Sequence, residues 1–123
     1  MEIVIRDDRK ISSILEEFNT AFPYLRLEFF IKSNKLGSAF SKKFINQDGK
    51  TLGECRVLKT KGSIKITPDM TVVDLEKGFM ELYGLGVEVF RQSGKIWLET
   101  TVTDGWSLEE QNKQGESLSK KIG

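Results

Sequence analysis

The sequence predicts a single α+β domain built from two similar strand-helix-strand units. Three observations support this prediction: hydrophobic residues change their period along the chain, the same order of periods occurs twice, and the first strand and helix of the two copies keep an offset of 61, which becomes 62 in the strand that follows. Ile3 corresponds to Ile64, and Phe18 to Phe79, each 61 residues further along. At 123 residues, of which 38 % are hydrophobic, the chain is long enough for one core and short for two.

The first copy covers about residues 2–31 and begins with an alternating stretch at residues 2–6, which predicts a short strand. Asp7-Asp8 is then a candidate helix cap. The helix is predicted by apolar residues at helical spacing, namely Ile11, Ile14, Phe18, Ala21 and Phe22. Pro23 ends it. After the proline the period becomes two, which predicts a strand with one face formed by Leu25, Leu27, Phe29 and Ile31.

The second copy covers about residues 63–91 and follows the same order with different boundary residues. Ile64 and Ile66 predict a strand, and Thr71 with Asp74 forms a capping-box pattern. The helix that follows has apolar residues at Val72, Leu75, Phe79, Leu82 and Tyr83, and it stops at Gly84. A further strand, a turn and a hairpin partner are predicted by Val87 and Val89, by Ser93-Gly94, and by Ile96 and Leu98.

Two strand-helix-strand units in one small domain most simply form a ferredoxin-like α/β plait. In this fold the four strands make one antiparallel sheet and both helices cover one face. We expect residues 1–104 to form this domain, with an insertion at 32–61 and an extra C-terminal strand. Residues 105–123 have few apolar positions, which predicts a short helix followed by a flexible tail.

The insertion carries most of the basic charge. Residues 32–61 contain eight Lys or Arg and two acids, whereas residues 1–31 and 62–103 each contain four basic and six acidic residues. A turn at residues 46–49 predicts a basic hairpin here. The candidate anion-binding residues are Lys42, Lys43, Lys50, Arg56, Lys59 and Lys61. Weak nucleic-acid binding through this segment is an alternative function, although the net charge of +1 gives it little support.

The chain has no histidine, which excludes several classes of active site. Ser-His and Cys-His nucleophile pairs and the common zinc ligand sets cannot form within it. An enzyme with a histidine-free carboxylate site is therefore only a second alternative, and we expect no catalytic residue, metal or cofactor. Asp7-Asp8 and Asp69 could together hold magnesium, but acids at helix starts are expected as caps. Gly84-Leu85-Gly86 follows a helix, which is the wrong context for a phosphate loop.

The single cysteine, the lack of a long apolar run and the acidic first residues indicate where in the cell the protein is expected. Cys55 allows no internal disulfide, which fits a cytoplasmic protein. Its neighbour Arg56 could activate the thiol, but a lone cysteine without histidine is interpreted as a small core residue. No apolar run is long enough to cross a membrane, and the acidic start does not resemble a signal peptide. We therefore expect a cytoplasmic protein with no membrane partner.

Aromatic residues suggest an interaction surface. If the apolar strand residues face the helices, alternation sends Phe30, Phe90 and Trp97 to the opposite face of the sheet, and Trp106 follows in the last segment. Large exposed apolar faces are rare on monomeric proteins, so we expect other residues to cover this one. We expect apolar residues of the insertion to cover it in part and a protein partner to bind around Phe90 and Trp97; a second copy of the chain, in a homodimer, could be that partner. The leading interpretation is a non-enzymatic protein-interaction or assembly module.

The run VFRQSGKIWLETTVTDGWSLEEQN, residues 89–112, resembles the C-terminal portion of a family of small uncharacterised bacterial proteins. The resemblance is confined to this part of the chain. It implies a bacterial, cytoplasmic protein and brings no activity, ligand or binding residue with it.

Overall fold

The computed structural model describes residues 2–33, 41–45 and 49–122. Within these ranges the chain forms a mixed α+β fold with four helices and antiparallel sheets. The strands are β1 (Ile3–Ile5), β2 (Leu25–Ser33), β3 (Ser41–Phe44), β4 (Ile64–Ile66), β5 (Gly86–Ser93) and β6 (Ile96–Glu99). The helices are α1 (Ile11–Ala21), α2 (Leu52–Cys55), α3 (Val72–Tyr83) and α4 (Leu108–Ile122).

The strands form two sheets. One contains β1 and β4, and the other has the order β3-β2-β5-β6. The ferredoxin-like plait, which needs the four strands of the two copies in a single sheet, is therefore not confirmed. The reason is that β2 and β5 pair with each other and their outer edges are occupied by β3 and β6. No edge remains beside them for β1 or β4, which pair instead with each other.

The pairing registers relate the two copies symmetrically. In the smaller sheet Val4 lies opposite Lys65, and these two residues are 61 positions apart. In the larger sheet Leu27 lies opposite Val89, which are 62 positions apart. Each antiparallel ladder therefore contains one pair of equivalent positions, and the remaining pairs are arranged symmetrically about it. The change of offset from 61 to 62 falls between helix and strand, where the two copies end their helices differently.

The correspondence continues into the segments that follow. Ile11 N–H donates to the Lys50 carbonyl at 2.9 Å, and Val72 N–H donates to the Trp106 carbonyl at 3.3 Å. These bonds bring the starts of α2 and α4 to equivalent places beside α1 and α3. Each half of the chain thus runs strand, helix, strand, strand, helix.

The predicted hairpin inside residues 32–61 is wrong in its pairing. β3 pairs with β2, with Ile31 opposite Lys43, and α2 begins at Leu52 where a returning strand was expected. The predicted turn falls partly on residues 46–48, which lie outside the described residues. The segment is the counterpart of the β6-to-α4 region in the second half, so it is part of the fold and not an addition to it.

Three of the four ends of α1 and α3 lie where the sequence predicts them. Thr71 caps α3 by accepting from Asp74 N–H at 3.1 Å, and the Asp74 carboxylate completes the capping box. Gly84 ends that helix in the left-handed region at φ 67°. The cap predicted at Asp7-Asp8 is wrong: the residue before α1 is Lys10, which makes no side-chain cap. The start of α1 is held instead by the bond to the Lys50 carbonyl.

One hydrophobic core joins the helices to the sheets. Its buried aromatic centre is Phe79, whose ring lies 5.1 Å from Phe29 and 5.7 Å from Tyr83. Phe18 is fully buried on α1. The other buried apolar residues include Ile3, Ile5, Ile11, Ile14, Leu25, Leu27, Leu52, Ile66, Leu75, Leu85 and Leu108.

The last helix is longer than the sequence predicted. α4 has 15 residues and replaces the expected short helix and tail. Ser107 caps it by accepting from Glu110 N–H at 3.1 Å, and Leu108 is buried in the core. Asn112 accepts from Tyr24 N–H at 2.8 Å and so fixes α4 against the start of β2. None of the helices in the described ranges combines the length and apolar character needed to span a bilayer.

Candidate protein-interaction surface

β6 is an edge strand with part of its backbone directed outward. Thr100 N–H donates to the Val89 carbonyl, which makes these two residues a hydrogen-bonded pair of the antiparallel ladder. Because such pairs alternate with non-bonded pairs, Leu98 also bonds to β5, whereas the N–H and C=O groups of Trp97 and Glu99 point away from it. In the described part of the chain no strand pairs with this outer edge.

Two apolar side chains of β6 are unexpectedly exposed. Ile96 and Leu98 were expected to face the helices and to be buried. Their parity is as predicted, since Leu98 lies opposite Arg91 and on the same face as Val89. However, Ile96 is 59 % exposed and Leu98 is 41 % exposed, because α4 packs over β5 and β2 and leaves β6 uncovered. Both residues therefore lie at the surface.

Arg91 connects Leu98 to Trp106. Its guanidinium carbon is 5.6 Å from the centre of the Trp106 ring, a cation–π arrangement. Its Nη1 donates to Gln111 Oε1 at 2.9 Å. Gln111 is buried on α4 and also donates from Nε2 to the Thr103 carbonyl at 2.5 Å. Trp106, 39 % exposed, is thus held against Arg91 of β5, the strand that pairs with β6. We call Ile96, Trp97, Leu98 and Trp106 the β6 surface.

The three aromatic residues expected on one face of the sheet, Phe30, Phe90 and Trp97, share that face in the pairing registers, but they are covered to different extents. Phe30 is buried, and its ring lies 5.9 Å from the ring of Phe44. The Phe30 ring also fills the space that a side chain at position 86 would need, so only a glycine fits there. Phe90 and Trp97 are half-buried on the same face of the sheet. Trp97 lies under the guanidinium of Arg26, at 5.7 Å. Trp106 lies on the other face, with Arg91.

The candidate anion-binding residues are divided between two clefts. Lys43 and Lys50 line a cleft of about 420 Å³, together with Cys55. Lys59 and Lys61 line another, of about 400 Å³, together with Arg56. The side chain of Lys42 lies outside the described part of the chain. The candidate basic residues whose side chains are described therefore lie in two separate clefts.

Arg56 has a structural role that the sequence did not indicate. Its side chain is 8 % exposed and pairs with Asp7 at 2.8 Å. It also donates to the carbonyls of Leu82, Thr60 and Leu58 at 2.8, 2.9 and 2.6 Å. Its guanidinium stacks 4.3 Å from the Tyr83 ring. These contacts join the segment between the two halves to the end of α3, and they occupy most of the arginine's donors.

Cys55 has the environment of a structural thiol. It is half-buried in α2, and burial raises its pKa, an effect that the Lys50 charge opposes only in part. Arg56, although adjacent in sequence, directs its guanidinium to Asp7 and Tyr83. A raised pKa leaves less thiolate at neutral pH, so the arrangement does not favour nucleophilic chemistry.

The acids considered for magnesium are engaged elsewhere. Asp7 pairs with Arg56, and Asp69 accepts from the Thr67 hydroxyl at 2.6 Å. A smaller cleft of about 180 Å³ is lined by the carboxylates of Glu76, Glu88 and Asp104. Across the residues that the structure describes, no group of three or more acids and cysteines is arranged to hold a metal ion.

Comparison with known proteins returned no relative: no protein-family model, curated protein or solved structure matches the chain. Its function must therefore be inferred from the geometry of the chain's own residues. Of these, sequence reasoning identified Trp97 and Trp106 and missed the exposure of Ile96 and Leu98. One feature of the sequence could have indicated this exposure: β6 is the last strand of a hairpin, and such a strand is a candidate for the edge of a sheet.

Proposed function

We propose that the protein is a non-enzymatic protein-interaction or assembly module and that its partner binds at the β6 surface. The observation that carries the proposal is an open strand edge with exposed apolar side chains, Ile96 and Leu98, while the half-exposed Trp106 stacks on Arg91 of the neighbouring strand. Open edges promote pairing with another chain, and contiguous apolar patches mark interaction sites. Aromatic side chains such as Trp106 are frequent anchors in protein interfaces.

The contrast between the two edges of the larger sheet supports the choice of β6. The other edge strand, β3, has the sequence Ser-Lys-Lys-Phe. Lysines on an edge strand oppose pairing because two such strands would bring like charges together. β6 has the sequence Ile-Trp-Leu-Glu and lacks this protection. The two edges are thus chemically different, and β6 is the one suited to association.

The division of the basic residues between two clefts gives nucleic-acid binding less support than protein binding. Phosphate binding depends on several cations arranged along one path. Arg56, the most enclosed of them, already donates to a carboxylate and to backbone carbonyls. The support for placing the module in a bacterial cytoplasm is the resemblance of residues 89–112 to small bacterial proteins, together with the single cysteine.

Site-specific photo-crosslinking tests the proposal. A benzophenone amino acid at Leu98 is compared with the same residue at Val4, which lies on β1 and is also 41 % exposed. Both variants are irradiated in the purified state and in the cells that express them. We expect an adduct of protein size from position 98 and none from position 4. No adduct from position 98, or equal adducts from both positions, would contradict the proposal.

A further inference from the structure

We infer that the partner at the β6 surface is a second copy of this chain, which pairs antiparallel with β6 about a twofold axis at Trp97. The inference rests on the proposed function and specifies its partner. Such pairing would join the two larger sheets into one continuous sheet. Its support comes from the direction of the β6 backbone groups and from the order of charged and apolar residues along Lys95–Glu99.

The backbone direction determines which residues can bond across the edge. The N–H and C=O groups of Trp97 point outward, because Trp97 lies in a non-bonded pair with Gln92 in the β5–β6 ladder. With the axis at Trp97, the two Trp97 residues exchange both backbone hydrogen bonds. The backbone of Glu99 also points outward, and in this register Glu99 lies opposite Lys95, directly before β6 of the second copy.

The side chains are self-complementary in this register. Lys95, the turn residue directly before β6, lies opposite the partner's Glu99, and Ile96 lies opposite the partner's Leu98. In the described ranges neither Lys95 nor Glu99 forms an ion pair within its own chain, so both charges are available. Opposite charges and apolar pairs directly across two strands are stabilising. The pairing also covers Ile96 and Leu98, which are the exposed apolar residues of the strand.

Neighbouring registers lack this complementarity. Moving the axis to Leu98 places Trp97 opposite the partner's Glu99 and Lys95 opposite Thr101. Moving it to Ile96 places Trp97 opposite the partner's turn residue Lys95 and Glu99 opposite Ser93, the last residue of β5, so neither charge meets an opposite charge. Only the axis at Trp97 pairs the two opposite charges, and it does so twice because of the twofold symmetry.

Charge reversal tests both the partner and the register by sedimentation equilibrium of the full chain. Lys95→Glu places two acids opposite each other at both ends of the paired strands, and Glu99→Lys places two lysines there. We expect wild type to form a dimer and each variant to dimerise about ten-fold or more weakly. An equimolar mixture of the two variants should recover the wild-type affinity, because each acid of one variant then lies opposite a lysine of the other at both ends of the paired strands.

Matched controls separate this effect from net charge. Lys113→Glu and Glu109→Lys make the same changes of charge on the exposed side of α4, and we expect both to dimerise like wild type. A wild-type chain that stays monomeric into the millimolar range overturns the inference. The proposed function then survives only if position 98 crosslinks to a different protein. A dimer that is unchanged in both charge variants, or a mixture that shows no recovery, also overturns the inference.

Discussion

Arg91 lies over the ring of Trp106 at 5.6 Å and directly opposite Leu98 in the β5–β6 ladder. One side chain therefore links the loop before α4 to β5, the strand that pairs with the edge strand β6. Because its Nη1 also donates to the buried Gln111, the loop, α4 and β5 are held together at this point. Trp106 is consequently fixed on β5, the strand next to β6, by contacts within the fold.

Removing the Arg91 guanidinium should loosen this junction. Arg91→Met keeps much of the apolar stem but leaves Gln111 without one of its partners. We expect a loss of about 1–3 kcal/mol in the free energy of unfolding, the usual cost of an unsatisfied buried polar group. Urea denaturation measures this loss, and Arg6→Met, at an exposed ion pair with Asp8, is the control. Equal stability of the two variants would show that Arg91 does not hold the junction.

Arg56 should be more important for stability than any other candidate anion-binding residue described. Arg56→Ala leaves Asp7 and three backbone carbonyls without their shared donor and removes the stack on Tyr83. We expect a loss of about 2–4 kcal/mol, since hydrogen bonds to charged groups are stronger than neutral ones. Lys59→Ala, at an exposed position, should change stability by less than about 0.5 kcal/mol. A similarly small effect of both substitutions would contradict the structural role.

Truncation of the helix aromatics tests the core. Phe18 and Phe79 are both fully buried. Phe18→Ala and Phe79→Ala should each lower the free energy of unfolding by about 3–5 kcal/mol, the usual range for a buried phenylalanine. Thermal or urea unfolding provides the measurement. If both substitutions cost under about 1 kcal/mol, the residues would not be part of a packed core.

The environment of Cys55 predicts slow thiol chemistry. Burial raises its pKa, so the thiolate forms at higher pH than in a free cysteine. The pH profile of alkylation by iodoacetamide should be displaced upward in the folded protein. The same protein in urea, where burial is lost, should follow the profile of a free thiol. A folded profile displaced to lower pH would indicate an activated cysteine instead.

Periodicity was sufficient to predict the local elements but not the partners of the strands. The stripes through Phe18 and Phe79 identify α1 and α3, and Ser93-Gly94 identifies the β5–β6 hairpin. Nothing in three-residue strands such as β1 specifies a partner. Their pairing depends on which edges remain after β3 and β6 have added to the larger sheet. Sheet organisation is therefore a tertiary property that the hydrophobic pattern does not encode locally.

The candidate site shows the same limit. Alternation correctly assigned Ile96 and Leu98 to one face of the strand and Trp97 to the other. It could not show that this face is uncovered at β6, since burial depends on where α4 lies. Arg56 was missed for a related reason. Its carbonyl partners come from the end of α3 and from the connecting segment, and a basic run in the sequence does not distinguish such an arginine from exposed lysines.

Amide hydrogen exchange at Trp97 tests the central claim most directly, because this N–H faces the open edge whereas that of Leu98 faces β5. The measurement is residue-resolved exchange by NMR over a range of protein concentrations. We predict that Leu98 is protected at every concentration, and that Trp97 and Glu99 become protected as concentration rises. Fast exchange of Trp97 at all concentrations, with Leu98 protected throughout, would contradict pairing through β6.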